Sequence, residues 1–231
     1  MNVTEIIDQV IARDDNISEV SADNDQRRQR HLEYLREVVA EVWWRRDWTF
    51  KKTRATVTIP AGQGYGSVPP DFSSLGNFGG VYYPIGGLSD GRKLEMVPES
   101  VIVEYREVNY TASGPPEIFA LFGQDPITYL QYIQIPINAA EVTLTVWYQP
   151  NPPTIDESAN VENIKKIPEK YHQLVVVPGL RAKARESKGD ARWQASVGEY
   201  EKGMIWMQTE ENRFQGDPVR QVPSFFGRPH Y

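Results

Sequence analysis

The spacing of apolar residues changes along the chain, from helical at one end to alternating in the middle and back to helical. In residues 2–13, Ile6, Ile7, Val10 and Ile11 share one helical face, and Asn2 and Glu5 stand at capping-box separation, which predicts a short helix. A polar stretch over 14–23 interrupts it. Residues 24–48 predict a longer helix whose apolar stripe is Leu32, Leu35, Val39 and Val42, with charges of both signs elsewhere. Beyond Trp48 the period becomes two. Ala55, Val57 and Ile59 alternate with threonines, and further strands are predicted at 65–68, 81–83, 93–96, 117–122, 129–135 and 142–148, with one helix at 99–109.

Pro150, Pro152 and Pro153 then mark an exit from the sheet, because proline cannot continue a central strand. Helical spacing resumes near Pro168, with Tyr171, Leu174, Val175 and Ala182 on one side and an expected kink at Pro178 and Gly179. Asp190 is the expected N-cap of a last helix carrying Trp193, Val197, Tyr200, Met204 and Met207 on one stripe. Residues 214–231 have neither period. The expected fold is α+β. Helices from 1–50 and 154–213 form a bundle, an antiparallel β-sandwich or barrel occupies 51–153 as an insertion, and 214–231 is an extended arm.

Composition narrows the function. The chain has 231 residues, no cysteine and a net charge of −6. Without cysteine there is no disulfide framework, thiolate metal site or cysteine nucleophile. The negative balance argues against a dedicated nucleic-acid binder, though not against a wall that DNA slides past. No apolar run approaches membrane-spanning length, and residues 1–13 lack the pattern of a secretory signal, so a cytoplasmic site of synthesis and no membrane are expected.

Candidate chemistry is sparse. Gly62, Gly64 and Gly66 suggest a phosphate loop, but no Lys followed by Ser or Thr completes it, so they read as a turn. His31, His172 and His230 lack zinc-site spacing, no nucleophile elbow occurs, and no enzyme, metal or cofactor is expected. In residues 43–52 the run WWRRDWTFKK interleaves aromatics with bases. Such a run is able to stack nucleobases, but with so little positive charge elsewhere Trp43, Trp44, Trp48 and Phe50 read better as packing residues, in a helix–sheet or inter-subunit contact. The proline-rich end carries Phe214, Val222, Phe225, Phe226, Arg228 and Tyr231, apolar anchors suited to docking on another protein.

Several of these features occur together in one family. The WWRRDWTF element, VPPDF at 68–72, the strand ending in VWYQPNPP, the IPEKYHQLVVVPGLRAKA helix and the aromatic-bearing last helix resemble the head-to-tail connector (adaptor) proteins of tailed bacteriophages over about residues 3 to 210. The inserted β domain is most similar to the podovirus-type tubular adaptors. The resemblance implies a ring, usually of twelve subunits, bound beneath the portal protein in the virion neck and offering a platform to the next tail component, a nozzle or tail-tube protein. The arm would grip the portal. Glu33, Glu37 and Glu41 are expected to line a channel that touches viral DNA only transiently. The competing reading is a carbohydrate-binding β module of a tail or cell-surface protein, built on aromatics such as Tyr82, Tyr83 and Trp147.

Overall fold

The computed structural model describes residues 1–14, 23–77, 79–86, 88–108, 114–123, 131–156 and 163–214. The chain divides into two units, residues 1–50 with 152–231 and residues 51–151. It is an α+β protein in which helices dominate the first unit and sheets the second.

In the helical unit, α1 (Val3–Asp14) begins with the capping box expected from its sequence. Asn2 Oδ1 accepts the Glu5 N–H at 2.7 Å, and Glu5 Oε2 accepts the Asn2 N–H at 2.9 Å. Ile6, Ile7 and Val10 are buried. The stripe of α2 (Asp23–Trp44) is buried too, but the helix stops at Trp44 rather than running to Trp48. The Trp48 indole folds back and donates Nε1–H to the Val42 carbonyl at 2.6 Å, taking the acceptor that the next amide of a continuing helix would need.

Pro178 is accommodated in a different way from the kink its sequence suggests. A helical turn, α4 (Glu169–Tyr171), leads into a π-helical turn (His172–Val176) and then α5 (Val177–Ser187), so the extra-wide turn sits immediately ahead of the residue that lacks an N–H. Proline leaves the Leu174 carbonyl without its usual amide donor. Against that carbonyl α6 (Trp193–Phe214) packs through a glycine: a Cβ added to Gly203 would lie 1.9 Å from Leu174 O. One added to Gly179 would lie 2.8 Å from Val38 and 3.1 Å from Tyr200. Two glycines therefore let α2, α5 and α6 close over a core that includes Leu35, Val42, Val175, Leu180, Met204 and Met207. Ahead of α6, Asp190 accepts the Arg192 N–H at 2.9 Å, closing the turn before the helix.

The second unit holds β1 (Thr53–Ile59), β2 (Tyr65–Ser67), β3 (Phe72–Ser74), β4 (Gly80–Ile85), β5 (Leu88–Lys93), β6 (Glu95–Met96), α3 (Glu99–Glu107), β7 (Ile118–Phe122), β8 (Tyr132–Gln134) and β9 (Val142–Pro150). One sheet has the order β1-β9-β4-β5, with β3 also paired to β9, and the other β2-β8-β7-β6. Pairing is antiparallel except between β6 and β7, which run parallel. Neither sheet closes into a barrel among the described residues.

Val57, Ile59, Val81, Leu144 and Val146 of the first sheet share a core with Phe119 and Ile133 of the second. Gly66 lies where the two meet, because a Cβ there would come within 2.8 Å of Val57 and 2.9 Å of Ile59. Strand β9 runs further than its alternation suggests. It passes Tyr148 to reach Pro150, which pairs with Phe72 across a register shift, and Asn151 N–H then donates to the Asp71 carbonyl at 2.7 Å. The proline is tolerated because it sits at the strand end beside an irregularity, where a missing donor breaks no regular ladder.

Candidate interaction site

Most of the aromatic run that begins at the end of α2 packs inside the helical unit. Trp43 and Trp48 are buried, and Phe50 stacks on Trp48 at 6.0 Å and meets Trp43 edge-on at 6.2 Å and Tyr171 at 6.3 Å. Three of the four residues expected in helix–sheet or inter-subunit packing thus hold the helical core together, while Trp44 is 57 % exposed. Sequence separates them by helical phase. Trp43 follows Val39 at a spacing of four on the buried stripe, and Trp44 falls one position past it.

A polar network behind this cluster was not foreseen. Glu211, near the end of α6, is buried, and its Oε2 accepts the Thr49 N–H at 2.9 Å as well as the Thr49 hydroxyl. The Tyr171 hydroxyl lies 2.9 Å from Glu210 Oε2 and 3.3 Å from Glu211 Oε1. Burial first, and then the bond to Glu210 and the two carboxylate charges, push the Tyr171 pKa well above its ordinary value of 10.0. The Tyr171 hydroxyl remains a donor throughout the physiological range, and the network ties the turn after α2 to α4 and α6.

The acidic stripe is real as a surface. Glu33, Glu37 and Glu41 are exposed at intervals of four on α2. Two of them have cationic neighbours: Lys183 Nζ lies 3.3 Å from Glu37, and Arg45 lies 3.9 Å from Glu41 while also reaching Glu201 at 3.0 Å. Exposed apolar side chains form a second feature of the helical unit, with Trp44, Leu174, Ile205 and Trp206 all more than two-fifths exposed. Trp206 leans edge-on against Tyr171 at 5.9 Å. Of the expected arm, Phe214 ends α6, whereas Val222, Phe225, Phe226, Arg228 and Tyr231 lie outside the described residues.

Among the described residues no cluster of three or more His, Asp or Glu is placed to hold a metal ion, and no helix is long and apolar enough to cross a membrane. His31 donates Nδ1–H to the Arg27 carbonyl (2.8 Å) and His172 directs Nε2–H at the Ile164 and Ile167 carbonyls (3.1 and 2.8 Å), so each is engaged with backbone. In the β unit, the Trp147 ring named in the carbohydrate reading has Lys52 Nζ 4.5 Å and the Arg54 guanidinium 5.9 Å from its centroid, so cations occupy the ring.

A helical unit formed by both ends of the chain, interrupted by a two-sheet insertion, is the architecture that the apolar spacing predicts. The family described as SU10 adaptor protein matches residues 1–221, nearly the entire chain. The chain belongs to the SU10 adaptor protein family. No curated protein matches it. For a phage structural adaptor, the informative surfaces are those that meet other proteins. Trp44, Leu174, Ile205 and Trp206 are the large apolar side chains that the helical unit leaves exposed among the described residues.

Proposed function

We propose that this adaptor forms a ring, of twelve subunits as in the podovirus-type connectors, beneath the portal protein of a tailed phage. In the neck of the virion it joins the DNA-filled capsid to the next tail component, a nozzle or tail-tube protein. Subunits are made in the host cytoplasm and are recruited to the portal there. The observation that carries this reading is the family match along nearly the entire chain. The exposed tryptophans and aliphatics of the helical unit support it, because a ring needs large, rigid side chains on the surfaces that neighbouring copies share.

Residues 215–231 supply the grip on the portal. Ordering a proline-rich segment on its own is costly, and portal contacts to Phe225, Phe226, Arg228 and Tyr231 offset that cost, so ring formation is templated by the portal rather than occurring in free solution. The wall facing the DNA carries Glu33, Glu37 and Glu41. A carboxylate row repels phosphate, and the pairing of Glu37 with Lys183 and of Glu41 with Arg45 tempers that field without reversing it.

The experiment is truncation after Gln215. The shortened adaptor is expected to keep its circular dichroism spectrum and melting temperature while failing to co-sediment with portal rings that retain the full chain. Loss of the fold, or undiminished portal binding, rejects the role assigned to the arm.

A further inference from the structure

The β unit contains a cleft that an adaptor ring does not require. Strand register places Tyr65, Gln134 and Ala120 in one cross-strand row, and Ser67, Tyr132 and Phe122 in the next, on one face of the β2-β8-β7 sheet. The other face of the same strands, with Ile133 and Gly66, turns into the core. Helix α3 packs against β7. Its Glu99 and Arg106, two turns apart and so on one side of the helix, complete the walls of a cavity of about 240 Å³ whose remaining lining is Tyr65, Phe122, Tyr132 and Gln134.

Two properties set this cleft apart from ordinary surface. Its aromatics are open: Tyr65 is 50 % exposed, Phe122 is 41 % exposed, and the Tyr65 and Tyr132 rings meet at 89° with centroids 5.9 Å apart, forming a corner. Its polar groups are incompletely matched. Gln134 is only 4 % exposed, yet its Oε1 has no hydrogen-bond partner among the described residues. Arg106 gives one N–H to the Gly64 carbonyl at 3.3 Å while its buried Nε finds no acceptor among the described residues. Buried polar atoms without partners are uncommon in folded proteins, because each costs about 1–3 kcal/mol.

We infer that this cleft is a binding site for one pyranose ring of a glycan. A sugar hydroxyl is donor and acceptor at once, so it can give to Glu99 and, once the buried Gln134 and Arg106 side chains rotate toward the cleft, give to Gln134 Oε1 and receive from Arg106, a combination that neither a simple anion nor a simple cation meets. The C–H face of a pyranose is apolar and suits the exposed Tyr65, Tyr132 and Phe122 rings. The volume lies below the ~300 to 1,000 Å³ typical of drug-sized ligands, which fits a single ring with the rest of the glycan in solvent. A proline-rich peptide also favours aromatic grooves, but it would leave the Gln134 and Arg106 groups facing side chains with no matching pair of functions. The site is independent of the adaptor role and gives the neck of the particle a glycan contact of its own.

The test uses the full-length protein and saturation-transfer NMR with methyl glucoside, methyl galactoside, N-acetylglucosamine and rhamnose as separate probes. Saturable transfer from at least one sugar is expected, weakened about tenfold or more in Tyr65→Ala and in Gln134→Leu and unchanged in the helical-unit variant Lys202→Ala. Gln134 is buried, so its variant is interpreted only with an unshifted melting temperature. Tyr65→Ala, at an exposed ring, carries the test by itself if Gln134→Leu does not fold. No transfer from any of the four sugars at about 50 mM, which puts any affinity below the useful range, overturns the inference. So does binding that Tyr65→Ala leaves intact, or a synthetic peptide of residues 215–231 perturbing the Tyr65 and Tyr132 resonances where the sugars do not. Portal binding is not read in this experiment, so its outcome does not depend on ring assembly.

Discussion

Glu211 holds a carboxylate inside an apolar unit, and its three hydrogen-bonding contacts make that burial tolerable. Replacing it with alanine strips the Thr49 N–H and hydroxyl of their acceptor. A loss of about 1–3 kcal/mol in urea denaturation is expected, larger than for the neighbouring exposed Arg213→Ala. His172 is a second buried polar residue, its Nε2 placed at the Ile164 and Ile167 carbonyls and its Nδ1 without a partner among the described residues. Burial lowers its pKa from 6.5, helped by the N-terminal ammonium group and opposed by the two carbonyls and Glu169. The folded protein therefore takes up this proton less readily than the unfolded chain. The stabilisation is complete above about pH 6.5 and is lost as pH falls below that value. Melting temperature should drop between about pH 7 and pH 5 in the parent and fall less steeply in His172→Gln. Equal slopes in the two proteins contradict this account.

At the level of elements, the helices were legible because their apolar positions repeat at three and four. Leu32, Leu35, Val39 and Val42 are all buried where that spacing puts them, as are Tyr200, Met204 and Met207. What the spacing did not reveal depends on side chains reaching beyond their own element. The end of α2 is set by the Trp48 indole, and Pro178 is absorbed by a π-helical turn rather than by a kink. Short strands with little alternation, such as β3 and most of β5, have no periodic signal and take their shape from their neighbours, whereas the parallel-paired β6 falls within the strand expected at 93–96. The Tyr65–Gln134 cleft was hidden for a related reason, since those residues lie far apart in the sequence and meet only through strand register. Trp43 and Trp44 offer the sharpest contrast. Trp43→Ala should destabilise the helical unit by about 3–5 kcal/mol, whereas Trp44→Ala should change stability by no more than about 0.5 kcal/mol, as measured by denaturation. If the ring uses Trp44, the second variant should be the one that weakens assembly.

At the level of the molecule, the β unit reads as an insertion whose ends are close together. Thr53 at its entry pairs with Tyr148 near its exit, so the two chain crossings leave from adjacent strands. Replacing residues 51–151 with a short Gly-Ser linker should leave a helical protein with a cooperative melt. A molten product without a thermal transition contradicts the division into two units. The central claim concerns assembly. The measurement that tests it most directly is the mass of the purified adaptor, alone and mixed with portal rings of the same phage, by light scattering with negative-stain imaging. The account expects a single ring of adaptors seated on each portal. An adaptor that stays monomeric in the presence of portal contradicts it.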